Sequence, residues 1–350
     1  MPQKSRDIKR KRPKRLTPIP LMQIISGFWA SKTLSAAIDL DLFTKISGKG
    51  ANHKQVAKSL GLHPRPAEML ISACAALGLL EKRKERFYNS SLAEEYLVKG
   101  KPYYFGGVVN LLDQRLYLPW NKLTEALRRN RAQTWEDHAG VFEQISTSLE
   151  KQRLFTEGMH SFSVHTGKAL AEAFDFSPYS LLMDVGGASG AYCIEAVRCY
   201  PHLRAVVFDL PEPLEIAKEK ILHSGFSDRI KTHSGDFFTN NLPKGADVIL
   251  LSMILHDWSP EKNLKILRRC YDALPTEGVI IVSELMMNDD KTGPLPSALM
   301  SLNMLIETEA GRNYSWSEYT EWLNKTGFRN TKRVDIESPG ANGMLIGYKR

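Results

Sequence analysis

At 350 residues, with 43% hydrophobic and 25% charged side chains, the chain has the composition of a globular protein with room for two domains. No apolar run approaches the roughly 18 residues of a membrane span and no secretory signal opens the sequence, so a cytoplasmic protein is expected, with no membrane partner. The formal charge of +8 is concentrated at the start, where Lys4, Arg6, Lys9, Arg10, Lys11, Arg12, Lys14 and Arg15 face only Asp7, so the basic character is that of a tail and not of a face.

Residues 1–17 hold too few apolar side chains to bury a core and are expected to form a disordered tail. From 18 to 100 the pattern is helical with short loops: LMQIISGFWASKTLSAAIDLDLFTKI repeats apolar residues at three- and four-residue spacing. HKQVAKSLGLHPRPAEMLISACAALGLL then reads as helix, turn, helix, followed by a hairpin over 80–88. This winged-helix order raises a DNA-binding regulator as a reading. The second helix, PAEMLISACAALGLL, argues against it, because it is apolar around most of its circumference and holds no Arg, Lys, Asn or Gln to read base edges. Such a helix is expected to be buried. Residues 101–178 read as a helical connector rich in aromatic and methionine side chains. Cys74, Cys193, Cys199 and Cys270 have neither disulfide-framework nor zinc spacing, and no metal is expected.

The remainder, 179–350, is organised around LLMDVGGASG (181–190). An apolar strand ends at Asp184 and Val185, and Gly186, Gly187 and Gly190 precede a helical run. A glycine turn of this kind lets the backbone approach a ligand and presents free N–H groups at a helix start. The strand RAVVFDLP ends in Asp209, a carboxylate suited to the two hydroxyls of a ribose. IKTHSGDFF places Asp236 and Phe237 at another strand end, suited to an adenine amino group and its face. DVILLSMILHDW leads into His256, Asp257 and Trp258, and GVIIVSELMM carries Glu284. Alone, each acid reads as a solvated loop or cap; together they gather polar groups at one edge of a parallel sheet, where ligands of open α/β folds bind. Met300, Asn303, Met304 and Glu307, three and four apart, share a helix face, equally compatible with core packing and a pocket wall.

In order and spacing, MDVGGASG, VVFDLP, GDFF, ILHDW and GPLPSALMSLNMLI resemble the S-adenosylmethionine-dependent small-molecule O-methyltransferases, which include plant caffeate and acetylserotonin enzymes and bacterial natural-product tailoring enzymes. The resemblance spans roughly residues 20–350. It implies an α/β Rossmann-like catalytic domain with a mostly parallel seven-stranded sheet, preceded by a mainly α winged-helix domain that forms a homodimer. It places the donor among Ser163, Asp184, Gly186, Gly187, Gly190, Asp209, Leu210, Gly235, Asp236, Phe237, Ser252, Met253 and Trp258, and the acceptor among Phe155, Met159, Phe162, Met300, Asn303, Met304 and Asn313. Soft thioethers and flat rings suit a planar aromatic acceptor.

A sulfonium is already electrophilic, so catalysis needs alignment and removal of the acceptor's proton. His256 is the candidate general base, and by resemblance Glu284 orients it while Asp257 helps to hold the turn. Two positions depart from the family pattern. Ala188 stands where glycine is usual, which costs little if its φ is negative. Asn313 in AGRNYS stands where a second glutamate is usual, which predicts a weaker base or a more acidic acceptor hydroxyl and leaves open N- or C-methylation or non-methylating chemistry. A nicotinamide oxidoreductase has no use for HDW, and a donor-sensing winged-helix regulator would need a charged recognition helix.

Overall fold

The computed structural model describes residues 16–135, 140, 142, 145 and 148–350. The basic tail to Arg15, and most of the stretch between Trp135 and Ser148, lie outside the described residues. The chain divides into two compact units, the first ending at Ser90 and the second running from Ser91 to Arg350.

In the first unit the opening apolar run is not one helix. It breaks at Ser26 into α1 (Ile19–Ile25) and α2 (Gly27–Asp39), and a left-handed Asp41 separates α3 (Leu42–Ile46). An Asn52/Gln55 capping box starts α4 (His53–Leu60), and Gly61 in the left-handed region ends it. Helix α5 (Pro64–Ala76) begins at a proline, and β1 (Leu80–Arg83) pairs antiparallel with β2 (Arg86–Asn89). The helix–turn–helix–hairpin order agrees with the sequence pattern. The expectation that α5 would be buried all round is not met within the chain: Ala67, Ile71 and Cys74 are buried, whereas Met69 and Leu77 are exposed. Helix α1 buries nothing. Five short helices cannot wrap one another completely, and a large apolar surface stays open.

The second unit opens with short helices, α6 (Ser91–Tyr96), α7 (Gly106–Leu111), α8 (Tyr117–Trp120) and α9 (Leu123–Arg129), with one π-turn at Leu112–Leu116. The 25-residue α10 (Leu149–Ala173) follows, capped by Ser148. Then β3 (Leu181–Val185), β4 (Arg204–Asp209), β5 (Ile230–Ser234), β6 (Val248–Ser252) and β7 (Val279–Glu284) alternate with α11 (Ala191–Cys199), α12 (Pro211–Ser224) and α13 (Pro260–Ala273). The chain closes with α14 (Leu295–Glu307), α15 (Trp316–Thr326), β8 (Arg329–Asp335) and β9 (Gly343–Tyr348). The seven strands are ordered β5-β4-β3-β6-β7-β9-β8, parallel except for β9, which runs antiparallel to both neighbours.

The continuous apolar runs of β3, β6 and β7 exist because both sheet faces are covered. Leu182, Val248, Leu250, Val279 and Ile281 pack into one core, while Met183, Ile249, Leu251, Ile280 and Val282 pack into the other. Because β4 lies on one side of β3 and β6 on the other, the strand order reverses at the carboxyl end of β3. That reversal opens a crevice.

Candidate active site

A cavity of about 670 Å³ opens at this reversal, lined entirely by residues of the second unit, a size within the ordinary range for small-molecule sites. Its floor is the glycine turn after β3. The expectation of free amides there is corrected: Gly186 and Gly187 donate to the Phe208 carbonyl (2.8 and 3.3 Å), Gly190 donates to Gly187, and Ala188 donates to Asp209 Oδ2 (2.7 Å). Amides beside a buried strand end are satisfied locally. Gly190 starts α11 with φ +74° and does not line the cavity; a Cβ there would stand 3.1 Å from Val207. It serves helix-on-sheet packing, so its expected ligand contact is withdrawn.

Ala188 has φ +44°, so the condition under which its methyl was tolerable fails. The residue sits in the left-handed region, at a cost of roughly 1–2 kcal/mol. Met253, also on the cavity wall, has φ +56°.

The groups left in this half fit an adenosyl donor. Asp209 Oδ1 accepts the Leu210 N–H at 2.7 Å, which fixes the carboxylate and leaves lone pairs for ribose hydroxyls. Asp184 is buried and its Oδ2 has no partner among the described residues. Burial, with Asp209 adding its charge, raises the Asp184 carboxyl to about 8, and burial holds Asp209 up at about 6. Cationic groups on a ligand relieve both. A Cβ at Gly186 would lie 2.4 Å from Ile254, and one at Gly235 2.6 Å from Phe208. Phe237 and Phe238 present edges to Trp258, with centroids 6.2 and 4.7 Å away, an aromatic corner for a purine. Asp236 lies two residues beyond β5 and spends its oxygens on the Phe238 N–H (2.7 Å) and the Thr239 hydroxyl (3.1 Å). Leu210, Gly235, Ser252 and Ser163 also line the cavity.

A cluster of buried titratable groups lies at the ends of β6 and β7. A 3₁₀ turn, Leu255–Asp257, follows β6 and turns His256 towards the cavity. Glu284, the last residue of β7 and fully buried, accepts the backbone N–H groups of Ile254 and Leu255 on Oε1 (3.1 and 3.0 Å) and holds His256 Nδ1 at 2.6 Å with Oε2. Asp257 Oδ1 stands 3.4 Å from His256 Nε2. Burial, the largest influence, pushes the imidazole pKa down, but the carboxylates of Glu284, Asp257 and Glu307 outweigh it and raise the value to about 9.

Asn313 is corrected outright. It does not line the cavity; its Nδ2 donates to the Leu285 carbonyl (2.7 Å) and its buried Oδ1 has no partner among the described residues. A further acid acting on His256, besides Glu284 and Asp257, is Glu307 at the end of α14, which lines the cavity and accepts Arg115 Nε at 2.8 Å. Burial raises its pKa, opposed by Arg115. Phe155, Met159 and Phe162 from α10, and Met300, Asn303 and Met304 from α14, all line the cavity. The amide of Asn303 is already engaged, however, its Oδ1 accepting the Trp120 indole N–H at 3.0 Å. No group of His, Cys, Asp and Glu able to hold a metal is found among the described residues.

Comparison with known proteins now decides the family. Residues 120–329 match the O-methyltransferase domain and residues 22–99 the O-methyltransferase dimerisation domain. The chain belongs to the O-methyltransferase family. It is similar to a 3-hydroxy-5-methyl-1-naphthoate 3-O-methyltransferase of Streptomyces sahachiroi, 43% identical over 95% of each chain. It is 36% identical to a tetracenomycin polyketide synthesis 8-O-methyltransferase of Streptomyces glaucescens, over 95% of this chain and 97% of that one. Human N-acetylserotonin methyltransferase, solved with S-adenosylmethionine, superimposes with a TM-score of 0.86 at 29% identity, covering 97% of this chain and 99% of that one. The methyltransferase uses S-adenosylmethionine as donor. Among the cavity residues given no role from the sequence are Glu307 and Arg115. Glu307 carried a usable signal, a charge on an otherwise apolar helix face; Arg115, in the apolar run LLDQRLYL, offered only its oddity there.

Proposed function

We propose that this methyltransferase moves a methyl group to a hydroxyl of a small aromatic acceptor, with His256 as general base. The observation that carries the reading is the 2.6 Å bond between His256 Nδ1 and a carboxylate buried behind it. It fixes the tautomer so that Nε2, the opposite ring nitrogen, meets the acceptor. S-adenosylmethionine, when bound, supplies a methyl group on a positively charged sulfur, and Asp184, Asp209, Asp236 and the Phe237–Trp258 corner would hold it. A phenol titrates near 10. An imidazole whose value lies close to that is well matched for proton transfer once it is deprotonated, and positive charge entering the cavity lowers its hold on the proton. As the hydroxyl oxygen attacks, its proton passes to Nε2; Glu284 stabilises the imidazolium that results, and Glu307 supplies a further negative charge that Asn313 lacks. Phe155, Met159, Phe162, Met300 and Met304 offer flat and polarisable surface to an aromatic ring, and two of the relatives are named for a hydroxynaphthoate and for acetylserotonin as acceptors.

We further read the exposed apolar surface of α1, α2 and α5, with Ile24, Ile25 and Trp29 more than half exposed, as the face that a second copy covers in a homodimer. Light scattering at micromolar concentration tests this; a monomer rejects it. For the chemistry, transfer of labelled methyl to a panel of phenols and hydroxynaphthalenes is compared between the parent protein and His256→Ala. A loss of at least a hundredfold is expected, and unchanged turnover rejects the base.

A further inference from the structure

Arg115 sits on the acceptor side of the cavity with its charge only partly used. It is carried by the π-turn at Leu112–Leu116, packs its guanidinium 5.9 Å from the Phe155 ring, and gives Nε to Glu307 Oε1. Its Nη2 is buried and has no hydrogen-bond partner among the described residues. A buried guanidinium N–H without an acceptor is costly to leave bare. Among the described lining residues, the other fixed cation is Lys262, which lies over the Trp258 ring at 5.0 Å, on the donor side.

We propose that Arg115 reads a carboxylate on the acceptor, so that the substrate is an aromatic hydroxy acid whose carboxylate meets the Nη edge of Arg115 while its hydroxyl faces His256. This rests on the methyl-transfer reading above and narrows its substrate class. The guanidinium is a fork with several donors in one plane. With Nε committed to Glu307, the Nη edge remains, and a carboxylate is the group whose two oxygens match it. Glu307 is bonded to Arg115 and acts electrostatically on His256. Phe155, beneath the guanidinium, supplies the wall against which the ring lies.

The test measures binding first, on the unmodified full-length protein saturated with S-adenosylhomocysteine. Calorimetry compares naphthoic acid, its carboxamide and naphthol, each as both positional isomers. At least one acid isomer is expected to bind roughly tenfold to a hundredfold more tightly than its amide and than naphthol. Acid and amide binding equally in both isomers means a neutral carbonyl suffices, and overturns the proposal; so does equal binding of naphthol. Arg115→Lys, which keeps a charge for Glu307, is expected to lose most of the acid's advantage because it loses the fork. Arg115→Met combined with Glu307→Leu removes the pair together and is expected to abolish the advantage; retention in both variants overturns the proposal. Methyl transfer to the hydroxylated members is then assayed separately. Selective acid binding without any transfer supports Arg115 and rejects the reading of an aromatic hydroxyl as the methyl acceptor, so the two fail independently.

Discussion

The sharpest test of the catalytic geometry is Glu284→Gln. The side chain keeps its shape, and its carbonyl oxygen can still accept the Ile254 and Leu255 amides, now 3.1 and 3.0 Å from Oε1. What changes is the atom facing His256 Nδ1 at 2.6 Å: an acceptor becomes a donor. The imidazole must then present a bare Nδ1 and carry its proton on Nε2, where it cannot take one from a hydroxyl. The negative charge that steadies the imidazolium is also lost. A unit charge at about 4 Å is worth about 4 kcal/mol at an effective dielectric of about 20, which is about three orders of magnitude in rate. Radiolabelled methyl transfer should therefore show kcat falling by about 10³, while donor affinity measured by calorimetry changes little, because Glu284 does not line the cavity. A variant within tenfold of the parent in kcat would refute the argument that this carboxylate orients the base.

Other outcomes follow from the same geometry. Ala188→Gly removes a methyl from a residue at φ +44° and should raise the unfolding free energy by about 1 kcal/mol in urea; a decrease would show that the left-handed conformation carries no strain. Asn313→Glu, designed to restore the family's usual acid, would set a carboxylate against the Leu285 carbonyl that Asn313 Nδ2 now satisfies, so it should destabilise by roughly 2 kcal/mol or more without raising kcat. Asp184, Asp209 and His256 all fold with raised pKa values. The stability each contributes is full below its unfolded value and falls as pH rises through its folded one, so the three together should lower the Tm of the donor-free protein between about pH 4 and about pH 9, Asp209 in the lower part of that range and His256 in the upper; a Tm that rises between about pH 6 and about pH 9 would contradict the signs. EDTA should leave turnover unchanged, and a loss restored by a divalent cation would contradict the metal-free chemistry.

Much of this site is visible in the residue order. Strands buried on both faces write themselves as unbroken apolar runs, and for that reason β3, β6 and β7, with the polar residues at the ends of the first two, could be placed in advance. His256 was legible because HDW follows a strand, and Glu284 through the family resemblance; that it ends β7 came from the structure. What escaped was set by packing between segments distant in sequence. Nothing local reveals that Asn303 is bonded to Trp120, 183 residues away, or that α14 delivers Glu307 to the cavity while Asn313 turns into the wall behind it. The glycine turn misled in another way. Its composition announces close approach, but not that β4 consumes its amides or that Ala188 adopts a glycine-like φ.

The turn at Leu112–Leu116 winds with one residue more than a regular helix accommodates. Each α-helical residue advances about 100° around the axis, so deleting a single position there would swing the guanidinium of Arg115 off Glu307 and out of the cavity, while the strand ends bearing the imidazole stayed put. Acceptor preference in this scaffold is thus open to change through insertion or deletion in a helix, by a route that leaves the proton-transfer apparatus untouched.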